Sequence, residues 1–121
     1  MKKKKVVYVQ TSDSRIPERA YAPFILAIDA AATGIDATMY FFLRGVTILK
    51  KGKSEKVQLD GYPPFDQIID QAVQSGVTLE ACEQSCMLFG LKKQDLIDNV
   101  KIVGASTIND WILEADGILA L

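Results

Sequence analysis

The run V-T-L-E-A-C-E-Q-S-C-M-L-F-G at residues 77–90 changes from a strand pattern to a helix pattern and holds both cysteines of the chain. Residues 77–81 have the pattern of a buried strand, and the residues after Cys82 are typical of the first turn of a helix. In an α/β sheet, ligands and reacting groups gather at the carboxyl ends of strands. The sequence therefore predicts that Cys82 ends a strand, where the free N–H groups of a following helix favour a thiolate.

The same window also fits a purely structural role. Free cysteine is among the most buried residue types, so Cys82 and Cys86 could both be small apolar side chains that fill a strand-to-helix junction. Cys86 lies four positions after Cys82, so the two thiols share one face if both residues are helical. Cys86 then either resolves a sulfur adduct on Cys82 by forming a disulfide, or packs beneath the helix with Met87 or Phe89.

Strand and helix patterns alternate along the whole chain. Pro17 is expected to open the first helix, Pro23 to kink or restart it, and Gly34 to end it. The predicted strands are 5–10, 37–43, 77–81, 100–103 and 117–121, and the later predicted helices are 46–51, 65–75, 83–89, 92–97 and 109–115. This order predicts a three-layer α/β/α sandwich with a mainly parallel five-stranded sheet, in one domain spanning 1–121.

Composition narrows the function classes. The 121 residues are 49% apolar, and 14 basic against 15 acidic residues give a net charge of −1, which predicts no nucleic-acid partner. No apolar run approaches the roughly 18 residues that cross a bilayer, and the short run after the N-terminal lysines is not a signal peptide. We therefore expect a cytoplasmic protein with no membrane partner.

Several kinds of active site are excluded or disfavoured. The chain has no histidine, which removes Ser-His-Asp and Cys-His catalysis. A zinc site is disfavoured because two thiolates would need two further ligands from carboxylates or another subunit. Neither glycine-rich phosphate-binding motif occurs, and we expect no cofactor and no metal.

Four stretches of the chain resemble the DsrE/DsrF-like proteins, the group that includes the sulfur-relay TusD-type subunits. These stretches are Ala31-Ala32-Thr33-Gly34 through Met39-Tyr40-Phe41-Phe42, the corner Arg44-Gly45-Val46, the segment Ala81-Cys82-x-x-Ser85-x-Met87 with Gly90-Leu91, and Gly104-Ala105-Ser106-Thr107. The resemblance covers nearly the full length, and it implies the three-layer α/β/α fold and frequent homo-oligomers. It also implies a sulfurtransferase-like carrier in which Cys82 takes sulfur as a persulfide and passes it between donor and acceptor proteins or small thiols.

Polar residues follow the predicted strands at the edge where Cys82 is expected. Ser12 and Arg15 follow the first strand, Arg44 follows the second, and Ser106 and Thr107 follow the fourth. The two arginines could stabilise a thiolate or an anionic sulfur donor, or they could be solvent-exposed charges. We therefore expect these residues beside Cys82 at the carboxyl edge of the sheet.

Two other function classes stay open. One is a non-catalytic assembly subunit in which Cys82 is silent, and the other is a small-ligand or nucleotide-binding module at the edge formed by Ser12, Arg44 and Ser106. Four aromatic residues flank a long loop and could bury apolar surface between subunits or inside one subunit: Phe41, Phe42, Tyr62 and Phe65.

Overall fold

The chain folds around one parallel sheet of five strands. The computed structural model describes residues 3–121. The strands are β1 (Lys5–Gln10), β2 (Asp36–Phe41), β3 (Thr78–Cys82), β4 (Val100–Val103) and β5 (Gly117–Ala120). Their order across the sheet is β4-β3-β2-β1-β5, and every neighbouring pair is parallel. The predicted α/β fold with a parallel five-stranded sheet is confirmed.

The strand order places the helices on two faces of the sheet. The α-helices are α1 (Pro17–Ala32), α2 (Phe65–Gln74), α3 (Glu83–Leu88) and α4 (Ala105–Glu114). From β1 to β4 the chain moves across the sheet in one direction, and from β4 to β5 it returns past β1. Because parallel crossovers are right-handed, this reversal puts α4 on the face opposite α1 and α2. The result is the predicted three-layer sandwich.

The main core lies between the sheet and helices α1 and α2. Buried residues recur on α1 at three- and four-residue steps, which turns one face of this helix toward the sheet. Phe24 packs against Phe41 and Phe65, with ring centroids 5.7 and 5.3 Å apart. Phe41 and Phe65 are therefore buried inside one subunit, the second of the two alternatives that the sequence left open for them. Phe42 and Tyr62 are exposed.

Three short 3₁₀ helices connect the main elements, at Leu43–Leu49, Ser54–Lys56 and Lys93–Asp95. The first of them turns tightly over the end of β1. A Cβ atom on Gly45 would overlap the carbonyl oxygen of Gln10, so only glycine fits at that position. Leu43 has a positive φ of 56°, an uncommon conformation for a residue with a side chain. These two positions fix the corner that follows β2.

Two helices differ in part from the prediction. α1 runs through Pro23 without the predicted restart, and Pro23 is buried in the helix face that contacts the core. The last helix begins at Ala105, although the sequence predicted a start at Asn109 after a capped turn. Its N-cap is Gly104, which has no side chain to mark the start, so Ser106 and Thr107 lie inside the first turn.

The face of the sheet beneath α4 is more polar than the main core. The central strands place Thr38, Tyr40 and Glu80 there, all buried, together with Cys82. None of the residues of α4 is fully buried, and all four residues of β5 are exposed. No helix within residues 3–121 is both long enough and apolar enough to cross a membrane.

Candidate functional site

Cys82 lies where the sequence predicted it. It is the last residue of β3 and the N-cap of α3, and its extended backbone (φ −67°, ψ 123°) ends the strand. Its Sγ accepts a hydrogen bond from the Ser85 backbone N–H at 3.4 Å. Only 6% of the residue is exposed, so the sulfur sits just beneath the surface at the carboxyl edge of the sheet.

Several hydrogen-bond donors surround the Cys82 sulfur and favour its ionised form. Burial by itself raises the pKa of the Cys82 thiol. The hydroxyls of Ser85 and Tyr40 and the backbone N–H groups of Ser85 and Gln84 outweigh burial, so the pKa lies below its ordinary value. Hydrogen bonds to a charged group favour that charged form. These donors therefore stabilise the Cys82 thiolate relative to the thiol.

Ser85 links this thiol to the corner after β2. The backbone N–H of Leu43 donates to Ser85 Oγ at 2.8 Å. Since the oxygen is accepting from Leu43, the hydroxyl proton of Ser85 is free to be donated to the sulfur. Ser85 belongs to the segment that resembles the family, but the sequence pattern assigned it no role. The signal was its place three residues after Cys82, in the first turn of a helix.

Tyr40 supplies the second hydroxyl, from the neighbouring strand β2. It is 3% exposed, and its ring stacks against Phe42 with centroids 6.0 Å apart. Burial raises the pKa of Tyr40 well above its usual range, and the hydrogen bond to Cys82 adds to that rise. The tyrosine is therefore a neutral donor whenever Cys82 is ionised. The sequence did not indicate Tyr40, because a strand pattern does not show which residue of β2 lies near the end of β3.

Cys86 has the opposite environment. It is 2% exposed and belongs to the main hydrophobic core. Burial raises the pKa of the Cys86 thiol, and the charge of Cys82 raises it further. Both cysteines are free thiols. The structure therefore separates a thiol with a lowered pKa from a packed thiol with a raised pKa.

The other predicted site residues lie along the same edge but do not gather at Cys82. Arg44 stacks over the Phe89 ring at 5.2 Å, whereas Arg15 pairs with Asp13 at 2.9 Å and is largely exposed. The backbone carbonyl of Ser12 accepts a hydrogen bond from Gln10 Nε2. Ser106 is exposed and Thr107 half-buried in the first turn of α4. Within residues 3–121, none of these five donates a hydrogen bond to the Cys82 sulfur.

A shallow cavity adjoins the site. It holds about 410 Å³ and is lined by Thr11, Leu43, Arg44, Leu88 and Phe89. Leu43 connects it to the site through Ser85, although Cys82 itself does not line it. The cavity therefore offers a largely apolar surface with one guanidinium, linked to the site by the Leu43–Ser85 hydrogen bond.

Known proteins share sequence and fold with this chain. The model of the DsrE/DsrF-like family matches residues 4–121. The chain belongs to this family. The ychN protein of E. coli has the same fold, with a TM-score of 0.82 and 22% identity over 98% of this chain and 99% of the other. At that identity the likeness concerns the fold alone.

Two curated relatives also align with the chain. The sulfur carrier protein DsrE2 of Allochromatium vinosum is 23% identical, over 96% of this chain and 97% of the relative. An uncharacterized protein of Methanocaldococcus jannaschii is 24% identical over 104 residues, or 86% of this chain. The chain spans 38% of the length of that second relative.

Proposed function

We propose that this protein is a sulfur carrier that accepts sulfur as a persulfide on Cys82 and passes it to a thiol. One observation carries the proposal: the Cys82 sulfur ends β3 among donors that lower its pKa. Thiolates, not thiols, are the nucleophiles in sulfur exchange. Family membership and the relative named as a sulfur carrier support the same conclusion.

The proposed relay has two balanced steps. In the first, the Cys82 thiolate attacks the outer sulfur of a donor persulfide, R–S–SH. An S–S bond forms on Cys82, the donor S–S bond breaks, and R–S⁻ leaves. In the second, an acceptor thiolate attacks the outer sulfur of the Cys82 persulfide and the Cys82 thiolate leaves. The donors around Cys82 favour the nucleophile in the first step and the leaving group in the second.

Cys86 takes no part in the proposed relay. To resolve the persulfide, its thiolate would attack the inner sulfur and expel hydrosulfide. The raised pKa of Cys86 and its place in the core both oppose that attack. We therefore assign Cys86 to packing beneath α3.

Intact mass after treatment with a small-molecule persulfide donor tests the assignment. We expect the wild-type chain to gain about 32 Da for each sulfur atom, as reversible persulfidation of a thiol requires. Cys82→Ser should abolish the gain, and Cys86→Ser, the matched control, should keep it. Both serine variants should stay folded, because serine is close in size to cysteine. If Cys82→Ser still accepts sulfur and Cys86→Ser does not, the two roles are exchanged.

A silent assembly subunit is the second candidate, and the small exposed fraction of Cys82 favours it. In that case neither cysteine of the folded wild-type chain would react with a persulfide donor or with a small thiol reagent. The same result would remove the sulfur-carrier proposal.

A small-ligand module is the third candidate, and the cavity beside Arg44 favours it. It is lined by Arg44 but by neither Ser12 nor Ser106, so it covers only part of the edge that the sequence predicted. A ligand that raises the melting temperature of Cys82→Ser as much as that of the wild type would support this candidate.

The proposed partners are donor and acceptor thiols and further copies of the chain. Exposed apolar residues occur on α4, at Ile112 and Leu113, and on the edge strand β5, at Ile118 and Leu119. An edge strand with apolar neighbours is a site where another chain can pair. Two free thiols are typical of a reducing compartment, and we place the protein in the cytoplasm.

A further inference from the structure

Arg44, on the corner after β2, carries a positive charge that the Cys82 thiolate does not use. Arg44 is exposed, and its guanidinium lies over the Phe89 ring, 5.2 Å from the ring centroid. A cation–π contact of this kind holds the guanidinium in place and leaves its N–H groups available to an anion. Among residues 3–121, the groups that lower the pKa of Cys82 do not include Arg44. The charge of Arg44 is therefore available to a group other than the thiolate.

Asp13 lies in the field of Arg44, but another arginine binds it. Its Oδ2 accepts a hydrogen bond from Arg15 Nε at 2.9 Å. Burial raises the pKa of Asp13, but hydrogen bonds from Arg15 and the charges of Arg15 and Arg44 lower it overall. The other ion pair in the part of the chain that the structure describes joins Lys5 and Glu114. Arg44 therefore forms no ion pair within residues 3–121.

The cavity lined by Arg44 has the size and the chemistry of a small-molecule site. It holds about 410 Å³, within the roughly 300–1,000 Å³ that is typical of ligand pockets. The other lining residues are three apolar side chains and Thr11, whose hydroxyl donates to the Leu121 carbonyl oxygen at 2.8 Å. The cavity therefore fits a ligand with an apolar body and one negative group.

Two hydrogen bonds connect this cavity to the reactive sulfur. Leu43, which lines the cavity, donates its backbone N–H to Ser85 Oγ at 2.8 Å. Ser85 donates its own backbone N–H to the Cys82 sulfur at 3.4 Å. Because Cys82 is only 6% exposed, a slender donor reaches the sulfur more readily than a cysteine on the surface of a folded protein does. These observations favour a small donor over a protein-bound one.

We propose, resting on the sulfur-carrier function above, that the sulfur donor is a low-molecular-weight persulfide with a carboxylate, and that Arg44 selects this donor by binding the carboxylate. The N–H groups of an arginine form paired hydrogen bonds with a carboxylate. The apolar part of the donor lies against Leu43 and Leu88, which are 47% and 70% exposed. The Cys82 thiolate then attacks the outer sulfur of the donor, the donor S–S bond breaks, and the donor leaves as a thiolate.

Two donors that differ only in charge test this proposal, in a Cys86→Ser parent so that one thiol reports. The persulfide of β-mercaptopropionate is anionic, and the persulfide of β-mercaptopropionamide is neutral. The measurement is the ratio of the rates at which the two donors add about 32 Da to the chain. This ratio should be about fivefold higher in the folded parent than in the same chain unfolded in urea, as an exposed ion pair allows. The unfolded chain gives the intrinsic reactivity of the two donors.

Substitutions of Arg44 assign the preference to one side chain. Arg44→Gln should remove the preference, and Arg44→Lys should keep part of it, because the charge remains without the paired N–H groups. Arg19→Gln is the matched control, since it removes another exposed arginine, and it should keep the preference. Equal rate ratios in the folded and unfolded parent would overturn the proposal and leave a protein-bound persulfide as the donor. A preference that survives Arg44→Gln would overturn it too.

Disulfide exchange separates this inference from the function on which it rests. The symmetric disulfides of the same two thiols form mixed disulfides with Cys82, release one thiolate, and need no persulfide. A chain that prefers the anionic disulfide through Arg44 but gains no persulfide sulfur would contradict the sulfur-carrier function alone. A chain that gains sulfur on Cys82 without a charge preference in either reaction would contradict the role of Arg44 alone.

Discussion

Residues 82 and 86 are the same amino acid four positions apart, and their surroundings give them opposite properties. Hydroxyl and N–H donors outweigh burial at Cys82, whereas burial acts without compensation at Cys86. The sequence predicted that Cys82 ends a strand, and the structure confirms that position; that Cys82 is the reactive thiol stays a prediction. The sequence did not predict Ser85 and Tyr40, since the donors depend on which side chains the folded chain brings to the sulfur.

Removal of the Ser85 hydroxyl should raise the pKa of Cys82. Ser85→Ala takes one donor from the thiolate, and we expect alkylation of Cys82 at neutral pH to fall about tenfold, with the pH profile displaced to higher pH. Ser106→Ala is the matched control, because Ser106 is an exposed serine in the first turn of another helix. An unchanged profile in folded Ser85→Ala would show that this hydroxyl does not reach the sulfur.

At the scale of elements, the 3₁₀ helix Leu43–Leu49 connects the site on α3 to the end of β1. Its first N–H reaches Ser85, and its third residue, Gly45, lies against the end of β1. One short element therefore touches β1 and α3 at once. Its position depends on a glycine where no other residue fits.

Gly45→Ala should displace this element. The new Cβ would overlap the Gln10 carbonyl oxygen, and we expect a loss of about 1–3 kcal/mol in the free energy of unfolding, as overpacking usually costs. Slower Cys82 alkylation should accompany the loss, because Leu43 moves with the corner. Gly104→Ala is the control, since a Cβ there meets nothing within 4 Å. Equal melting temperatures for both variants would contradict this account.

The sequence predicted the elements well and their junctions less well. The predicted β4 matches the structure at both ends, because Val100–Val103 is an apolar run between clear breaks. β2 ends at Phe41, two residues before the prediction, because Leu43 and Arg44 enter the 3₁₀ helix rather than extend the strand. Local propensity cannot show a corner fixed by a contact with another strand. For the same reason the sequence did not indicate Ser85 and Tyr40 as neighbours of the Cys82 sulfur.

For the whole molecule, the two faces of the sheet are covered unequally. α1 and α2 bury one face in a continuous core, whereas the other has one helix of ten residues, none of them fully buried. The apolar residues that remain exposed near that helix and β5 are the reason to expect further copies of the chain.

Leu113→Glu should dissociate the proposed oligomer. Leu113 is 84% exposed on α4, so the substitution should leave the fold of one subunit unchanged while placing a charge in the interface. Sedimentation should then shift toward the monomer of 13.3 kDa. Met87→Glu, at an exposed apolar position on α3, is the control. A wild-type chain that already sediments as a monomer at micromolar concentration would contradict the oligomer.

Trp111 is the only tryptophan of the chain, and its buried indole N–H lies near the Glu80 carboxyl, whose pKa it lowers. Indole emission is sensitive to a neighbouring acid and to its charge. The chain therefore carries its own optical indicator. A fluorescence titration of the unlabelled protein would follow the ionisation of one internal carboxyl, on the same sample in which the reactivity of the sulfur is measured.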